Sequence, residues 1–188
     1  MPLSASAPRR RVHERNIECV GYEREDGLWD IEGHITDVKQ YVHARPESGN
    51  PVEPGVPIHD MWLRLTIDMS FKIVSVEAVM DTGRFAVCPD IVPNFRKLEG
   101  LTIGRGFNKA VQEIVGTVHG CTHMRELVGR MATTALQATN RARQQNDGYN
   151  SEKRGKQLIG TCYAYASDSP VVLQRWPNLY TGKAPQPK

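Results

Sequence analysis

Two histidines and a cysteine stand close together in the stretch VHGCTHMREL (118–127), where the clearest helical pattern of the chain begins. His119, Cys121 and His123 are each separated by a single residue. Thiolate and imidazole are ligands of zinc and iron, and a cysteine at a helix N-terminus faces unpaired N–H groups that favour the thiolate. The trio is a candidate for a metal site or a thiol nucleophile, although its His-x-Cys-x-His spacing is not a standard zinc-finger spacing. A core cysteine beside two surface histidines is the alternative interpretation.

Two other stretches carry residues of the same chemical types. His59 and Asp60 in PIHDMWL lie between a proline-rich loop and an expected strand. Cys88 in FAVCPDI lies where Pro89 forces the chain out of a strand. Each stretch falls at the end of an element, so we expect their side chains to converge on one rim of the fold.

Two further groups leave a functional and a structural interpretation open. Asp30, Glu32 and His34 in DIEGH share one face of a strand, which suits an acid/base set or an exposed sheet face. Cys162 stands with Tyr163 and Tyr165 in TCYAYASD, where it could close the site from the far end of the chain or could be a packing residue.

The first half of the chain alternates apolar and polar residues as antiparallel strands do. Residues 16–44 predict a hairpin that turns at Asp26-Gly27, and residues 59–85 predict two more strands. Between them, residues 45–57 contain four prolines and two glycines and must form a loop.

The second half has helical spacing. We expect a short helix or turn over 88–100, a helix over 102–116 and a long helix over 122–146, with Thr122 as a plausible N-cap. One or two short strands are expected within 157–177. Strands followed by helices predict an α+β fold, an antiparallel sheet with helices packed on one face. The predicted organisation is a flexible arm (1–15), a single domain (16–177) and a tail (178–188).

Composition limits the classes of function. The 188 residues carry a net charge of only +3, and no aromatic-plus-basic motif accompanies Arg9, Arg10 and Arg11, which argues against nucleic-acid binding. No segment has the length and apolarity of a membrane span or a signal peptide. The four cysteines form no Cys-x-x-Cys pair. We expect a cytoplasmic protein with reduced thiols.

Over about residues 58–138, the order HDMWLRLTID, FAVCPDI, LEGLTIGRGFNKAVQEI and VHGCTHMRELVGRMATTALQA resembles iron–sulfur cluster scaffold proteins of the NifU/IscU type. The resemblance aligns Asp60 with the family aspartate, and Cys88 and Cys121 with the second and third scaffold cysteines. It implies an IscU-like core, about 58–145, to which the N-terminal hairpin is added. The full chain also resembles a bacterial family of unknown function.

The chain departs from the scaffold pattern at the first cysteine, where it has Ile58, followed by His59 in place of a glycine. The set that the resemblance leaves is Asp60, Cys88 and Cys121, with His59 or His123 as the fourth group. This set suits one zinc or iron ion per chain rather than a cluster.

Three classes of function follow from these residues. The first is a metal-dependent lyase or hydrolase acting on a small organic or aromatic acid. In that enzyme His59 or His123 would carry protons and Arg64 would hold an anionic substrate. The second is an iron–sulfur or metal scaffold or transfer module, and the third is a structural domain with buried cysteines. A site at element ends also suits a homo-oligomer, which the sequence leaves open.

Overall fold

The computed structural model describes residues 3–148 and 151–182, and the chain divides into two compact units, 1–139 and 140–188. The sequence had suggested one domain over 16–177. The strands of the first unit are β1 (His13–Glu23), β2 (Trp29–Lys39), β3 (His43–Ala44), β4 (Pro51–Val52), β5 (Pro57–Ile67) and β6 (Ile73–Thr82). Its helices are α1 (Phe107–Val115) and α2 (Thr122–Ala138), with 3-10 segments at Cys88–Leu98 and Thr117–His119. The second unit contains α3 (Asn140–Asp147), α4 (Glu152–Leu158) and α5 (Pro170–Arg175), with 3-10 turns at Tyr163–Tyr165 and Pro177–Leu179.

A four-stranded antiparallel sheet in the order β1-β2-β5-β6 is the framework of the first unit. The β1–β2 turn contains Gly27 at φ 83°, a value that glycine adopts without strain. Between β5 and β6, the Asp68 carboxylate accepts hydrogen bonds from the backbone N–H groups of Ser70 (2.8 Å) and Lys72 (3.0 Å). The α+β class and the antiparallel sheet that the sequence predicted are both confirmed.

Strict alternation on β2 separates the two faces of the sheet. Trp29, Ile31, Gly33, Ile35 and Asp37 are buried, and the residues between them are half-buried. The buried face of β2 lies against α2. The alternation therefore places one charged side chain, that of Asp37, on the buried face. The other buried residues of β2 are apolar or glycine.

Helix α2 approaches the sheet closely because β2 has a glycine beneath it. A Cβ atom at Gly33 would lie 2.7 Å from Met131 Sδ and 2.9 Å from Leu127 Cδ1. Those two side chains belong to the buried stripe of α2, whose other members are Met124, Val128 and Ala135. The stripe has the helical spacing that the sequence predicted.

The small hairpin β3–β4 encloses the first part of the proline-rich segment, with His43 opposite Val52 and Ala44 opposite Pro51. The strand β4 therefore lies within residues 45–57, which the sequence predicted to be a loop. The Gly55 N–H donates to the carbonyl of Lys39 at 2.8 Å, which fastens the end of the loop to β2.

Residues 157–177 contain no strand in the structure, so the prediction of one or two short strands there was wrong. Ser169 accepts a hydrogen bond from the Val172 N–H (3.2 Å), and Pro170 occupies the first turn of α5. The N-cap and the proline both favour the start of a helix at this point. The short apolar run that follows is therefore helical and not a strand.

The ends of the chain differ in how far the structure describes them. β1 begins at His13, within the segment 1–15 that the sequence assigned to an arm, because His13 and Arg15 both contact a buried carboxylate. Of the predicted tail, residues 183–188 lie outside the described part. No helix of the described chain combines the length and apolarity needed to cross a membrane.

Candidate metal site

Asp37 is a fully buried carboxylate near the C-terminal end of β2. Arg15 on β1 contacts both of its oxygens, with Nε 2.8 Å from Oδ1 and Nη2 2.8 Å from Oδ2. His13 Nε2 lies 3.0 Å from Oδ1, and His59 Nδ1 lies 2.9 Å from Oδ2. Buried charge is costly unless it is paired and hydrogen-bonded, and these neighbours meet that requirement.

The pKa of Asp37 reflects two opposing effects. Burial acts to raise it, but the hydrogen bonds and positive charge of Arg15, together with His59, outweigh burial and lower the pKa to about 2. The carboxyl group is therefore ionised throughout the neutral range. Arg15 also reaches Glu126 on α2, Nη1 to Oε2 at 3.0 Å, so one guanidinium is shared by two carboxylates.

Two histidines complete the surroundings of Asp37. His59 on β5 is directly opposite Asp37 in the strand register, and His123 lies in the first turn of α2. Their rings are 3.8 Å apart between centroids and inclined by 36°. His123 Nε2 is 3.8 Å from Asp37 Oδ2. Burial, followed by the nearby His59 and Arg15, lowers the pKa of His123, which favours its neutral, ligand-competent form.

Asp37, His59 and His123 thus form a group that could hold a metal ion. Each offers one ligand atom, and these atoms all lie within 4.8 Å of one another. Within residues 3–148 and 151–182, no other group of three His, Cys, Asp or Glu side chains meets that criterion. Two of the three members, His59 and His123, were candidate site residues from the sequence.

Cys121 stands beside this group and not within it. It is the N-cap of α2, one residue before the predicted Thr122, and its Sγ lies 3.7 Å from His123 Nδ1 and 3.9 Å from Met61 Sδ. Gly120 precedes it because a Cβ atom there would overlap the carbonyl oxygen of Val115. His119 ends the short 3-10 turn before that glycine.

Asp60 and Arg64 lie on the other face of β5, because neighbouring residues on a strand point to opposite sides. Asp60 Oδ1 is 2.7 Å from His34 Nε2. Arg64 binds Glu32, Nε to Oε1 at 2.8 Å, and Glu77, Nη1 to Oε2 at 2.6 Å. Two residues of the DIEGH stretch, His34 and Glu32, therefore pair across strands with Asp60 and Arg64. The third, Asp30, accepts a hydrogen bond from Thr66 Oγ1 at 2.7 Å.

The two remaining cysteines have different surroundings. Cys88 opens the 3-10 segment after β6 and is half-buried, and a Cβ atom at Gly83 would lie 2.7 Å from its own Cβ. Cys162 belongs to the second unit, where it is exposed.

The residues that the sequence interpretation missed are Asp37, Arg15 and His13. Asp37 did have a signal, because it continues the inward row Trp29, Ile31, Gly33, Ile35 with a charged residue. A carboxylate at an inward position requires partners, which makes it a site candidate. Arg15 and His13 gave no such signal, since they stand in a basic, polar segment.

Comparison with known proteins gives a family but no activity. No curated protein and no solved structure matches the chain. A family model described as "Protein of unknown function (DUF2889)" matches residues 13–137, a range that contains every residue of the group described above. The chain therefore belongs to the DUF2889 family.

Proposed function

We propose that Asp37, His59 and His123 bind one zinc or iron ion, and that the protein is a metal-dependent enzyme of the lyase or hydrolase type. The observation that carries this proposal is the convergence of the three ligand atoms within 4.8 Å. Two histidines and one carboxylate are a ligand set that catalytic zinc and non-haem iron centres both use. Such a set leaves open positions for water or substrate.

The distances suit a metal ion. With metal–ligand bonds of about 2.1 Å, neighbouring ligand atoms are roughly 3.0–3.4 Å apart. His59 Nδ1 and Asp37 Oδ2 are separated by 2.9 Å, and His123 Nε2 and the same oxygen by 3.8 Å. To close such a site, the His123 ring must move toward Asp37, and one of the hydrogen bonds to Asp37 Oδ2 must be released.

The ionised Asp37 carboxylate also favours a cation. It shares Arg15 with Glu126, whose other oxygen lies 3.9 Å from Arg130 Nη2. Asp37 stays ionised because of its low pKa, and the lowered pKa of His123 keeps that ring's lone pair available.

The chemistry of such a site follows from the metal and from the residues around it. A bound ion polarises a carbonyl or lowers the pKa of a water or hydroxyl. Cys121 acts on the site through His123, whose Nδ1 it faces at 3.7 Å. The half-exposed His13 is the proton carrier, because it reaches Asp37 while its side chain remains 40% accessible. A small organic or aromatic acid is the proposed substrate class.

One observation favours a second function, metal-free acid–base catalysis. Arg15, His13 and His59 direct four hydrogen bonds at Asp37, which equals the acceptor capacity of a carboxylate. In that function Asp37 orients His59, and the neighbouring rings of His59 and His123 transfer protons. Metal binding requires that the hydrogen bond from His59 Nδ1 or from Arg15 to Oδ2 be given up.

The experiment that separates these functions is elemental analysis of protein purified without chelators. The proposal expects about one zinc or iron per chain in the wild type, and loss of the metal in His59→Gln and His123→Gln. The matched controls are His34→Gln and Asp60→Asn, whose residues form the pair on the opposite face and which should keep the metal. A wild type without metal whose activity depends on His59 would establish the acid–base function instead.

A scaffold or transfer module is a further alternative, drawn from the NifU/IscU-type residue order. It expects a brown, labile protein after anaerobic purification, and loss of the colour in Cys88→Ser and Cys121→Ser. In the metal-enzyme proposal neither substitution removes the metal, because neither thiol is a ligand.

A further inference from the structure

The outer edge of β1 carries a row of backbone groups without hydrogen-bond partners. The Gln40 N–H donates to Val12 O at 3.2 Å, and the Arg24 N–H donates to Leu28 O at 3.0 Å. Hydrogen-bonded pairs of an antiparallel ladder recur at every second residue, so the even-numbered residues of β1 bond to β2. The odd-numbered residues turn their N–H and C=O groups outward, and the described part of the chain supplies no partner for them.

The opposite edge of the same sheet, on β6, is covered by the chain that follows it. The Ile73 N–H donates to Leu101 O, and the Ile73 carbonyl accepts from the Gly100 N–H, both at 2.8 Å. Farther along β6, the Val76 N–H donates to Glu99 Oε1 at 3.0 Å. An unpaired edge is a template for pairing with another chain, so this contrast singles out β1.

The side chains of β1 are also incompletely covered. None of its eleven residues is fully buried, whereas β2 alternates buried and half-buried residues. Ile17 and Cys19 are half-buried and form one side of an open groove, whose other side belongs to α2. The groove residues on α2 are Arg130, Thr133 and Thr134. A strand added beside β1 would lie along this groove and cover Ile17 and Cys19.

We propose that β1 pairs with β1 of a second copy of the chain, antiparallel and about a two-fold axis at Cys19. Outward-facing residues must meet outward-facing residues, so the axis passes through a residue and not between two residues. With the axis at Cys19, Arg15 lies opposite Glu23 of the partner subunit, and Ile17 lies opposite the partner's Gly21. A two-fold interface repeats each pair, so both contacts occur twice.

Charge complementarity selects this register. Glu23 is exposed and has no ion-pair partner among the described residues, and the Arg15 side chain is 33% exposed. Every other position of the axis separates Arg15 from Glu23 of the partner subunit. On the outer face, the same register places Glu14 opposite the partner's Arg24. An axis at Glu18 would instead place two Glu18 carboxylates directly opposite each other, which is destabilising.

The interface adds a group beside the proposed metal site and does not depend on a metal. Arg15 binds Asp37 and Glu126 within its own chain, and the dimer gives it a third carboxylate, that of the partner's Glu23. The second copy therefore helps to hold the guanidinium group that keeps Asp37 ionised.

The test is sedimentation of the full chain over a range of concentrations, together with amide hydrogen exchange measured by NMR. We expect a dimer whose population rises with concentration. In that dimer the outward N–H groups of Ile17, Cys19 and Gly21 become protected, whereas those of Glu18 and Val20 bond to β2 and are protected in monomer and dimer alike. A chain that stays monomeric at the concentration of the NMR sample, or a dimer without this alternating protection, would overturn the proposal.

Glu23→Arg should raise the dissociation constant of the dimer roughly tenfold or more, because it places two arginines opposite each other at both ends of the interface. Glu23→Gln should weaken the dimer less, since it removes the attraction and adds no repulsion. The matched control is Glu53→Arg, which makes the same change of charge at an exposed residue outside β1 and should dimerise as the wild type does.

The amide spectrum of each variant shows whether its fold is intact. An equal loss of dimer in Glu53→Arg, or an unchanged dissociation constant in both Glu23 variants, would refute the pairing of Arg15 with Glu23 of the partner subunit.

Discussion

Two histidine–aspartate pairs join the same two strands, β2 and β5, from opposite faces of the sheet. On the inner face, His59 Nδ1 and Asp37 Oδ2 are 2.9 Å apart; on the outer face, His34 Nε2 and Asp60 Oδ1 are 2.7 Å apart. The side chains of the inner pair are 11% and 0% exposed, and those of the outer pair are 23% and 27% exposed. Residue type and distance are almost the same, so burial and further neighbours distinguish the pairs.

The neighbours come from different elements. Helix α2 adds His123 to the inner pair, and β1 adds Arg15. The third neighbour of the outer pair is Trp62, whose ring stacks on His34 with 3.6 Å between the ring centroids. The inner pair is therefore a candidate site because α2 brings a second histidine to it.

The largest expected difference between the pairs is in stability. Asp37→Asn leaves the charge of Arg15 without its buried partner and should cost about 3 kcal/mol of unfolding free energy. Asp60→Asn breaks a partly exposed pair and should cost less than about 1 kcal/mol. Hydrogen exchange of β2 and β5 amides in metal-free protein measures both losses within the first unit.

Equal losses in the two variants would contradict the comparison, because they would mean that burial does not distinguish the pairs. Asp30→Asn is a suitable third variant, since Asp30 is also half-buried on β2 and bound to Thr66.

The response to metal should distinguish the pairs almost as strongly. At a free zinc concentration about 100-fold above the dissociation constant, a single site stabilises the folded state by about 2.7 kcal/mol. The wild type and His34→Gln should show this gain in thermal unfolding, whereas His59→Gln should not. A gain that persists in His59→Gln but is lost in His34→Gln would place the metal on the outer face.

The sequence predicted those parts of the fold that depend on local periodicity. The alternation of β2 and the apolar stripe of α2 can both be read from neighbouring residues, and both are present. The site depends on contacts between distant segments. Asp37 meets His59 only through the register of β2 and β5, across the loop 45–57, and meets Arg15 only through β1.

The choice of ligands therefore differed from the one that the sequence favoured. His59 and His123 were identified because each stands at the end of an element. Asp60 was chosen because the scaffold resemblance aligned it with the family aspartate and because it stands beside His59, but adjacent residues on a strand occupy opposite faces. Counting every second residue along β2 would have placed Asp37 on the buried face.

Acid should affect the inner carboxylate in a defined range of pH. The pKa of Asp37 in the folded protein, about 2, lies below the ordinary value of 3.8 for an aspartate side chain. Its contribution is therefore complete above about pH 4 and is lost as the pH falls toward 2, on the order of 2 kcal/mol in all. The check is urea unfolding of metal-free protein between pH 2 and 5, with Asp37→Asn as the comparison.

In Asp37→Asn this acid-dependent loss should be absent, and the pH profile of stability should be flatter by that amount. An unchanged profile would mean that other carboxyl groups account for the acid sensitivity and that the ion pair with Arg15 contributes little.

The smallest expected effect is the coupling between the outer rings. His34 and Trp62 stack with an interplanar angle of 8°, but Trp62 is 41% exposed. Their coupling energy should therefore be about 0.5 kcal/mol, measured in a double-mutant cycle of His34→Gln and Trp62→Leu. This coupling should be the same with and without zinc. The inner rings, His59 and His123, should show a coupling that rises when zinc is present, because the ion holds both. Since each cycle is measured in the same chain, a zinc-dependent change in the outer coupling alone would refute the assignment of the metal to the inner face.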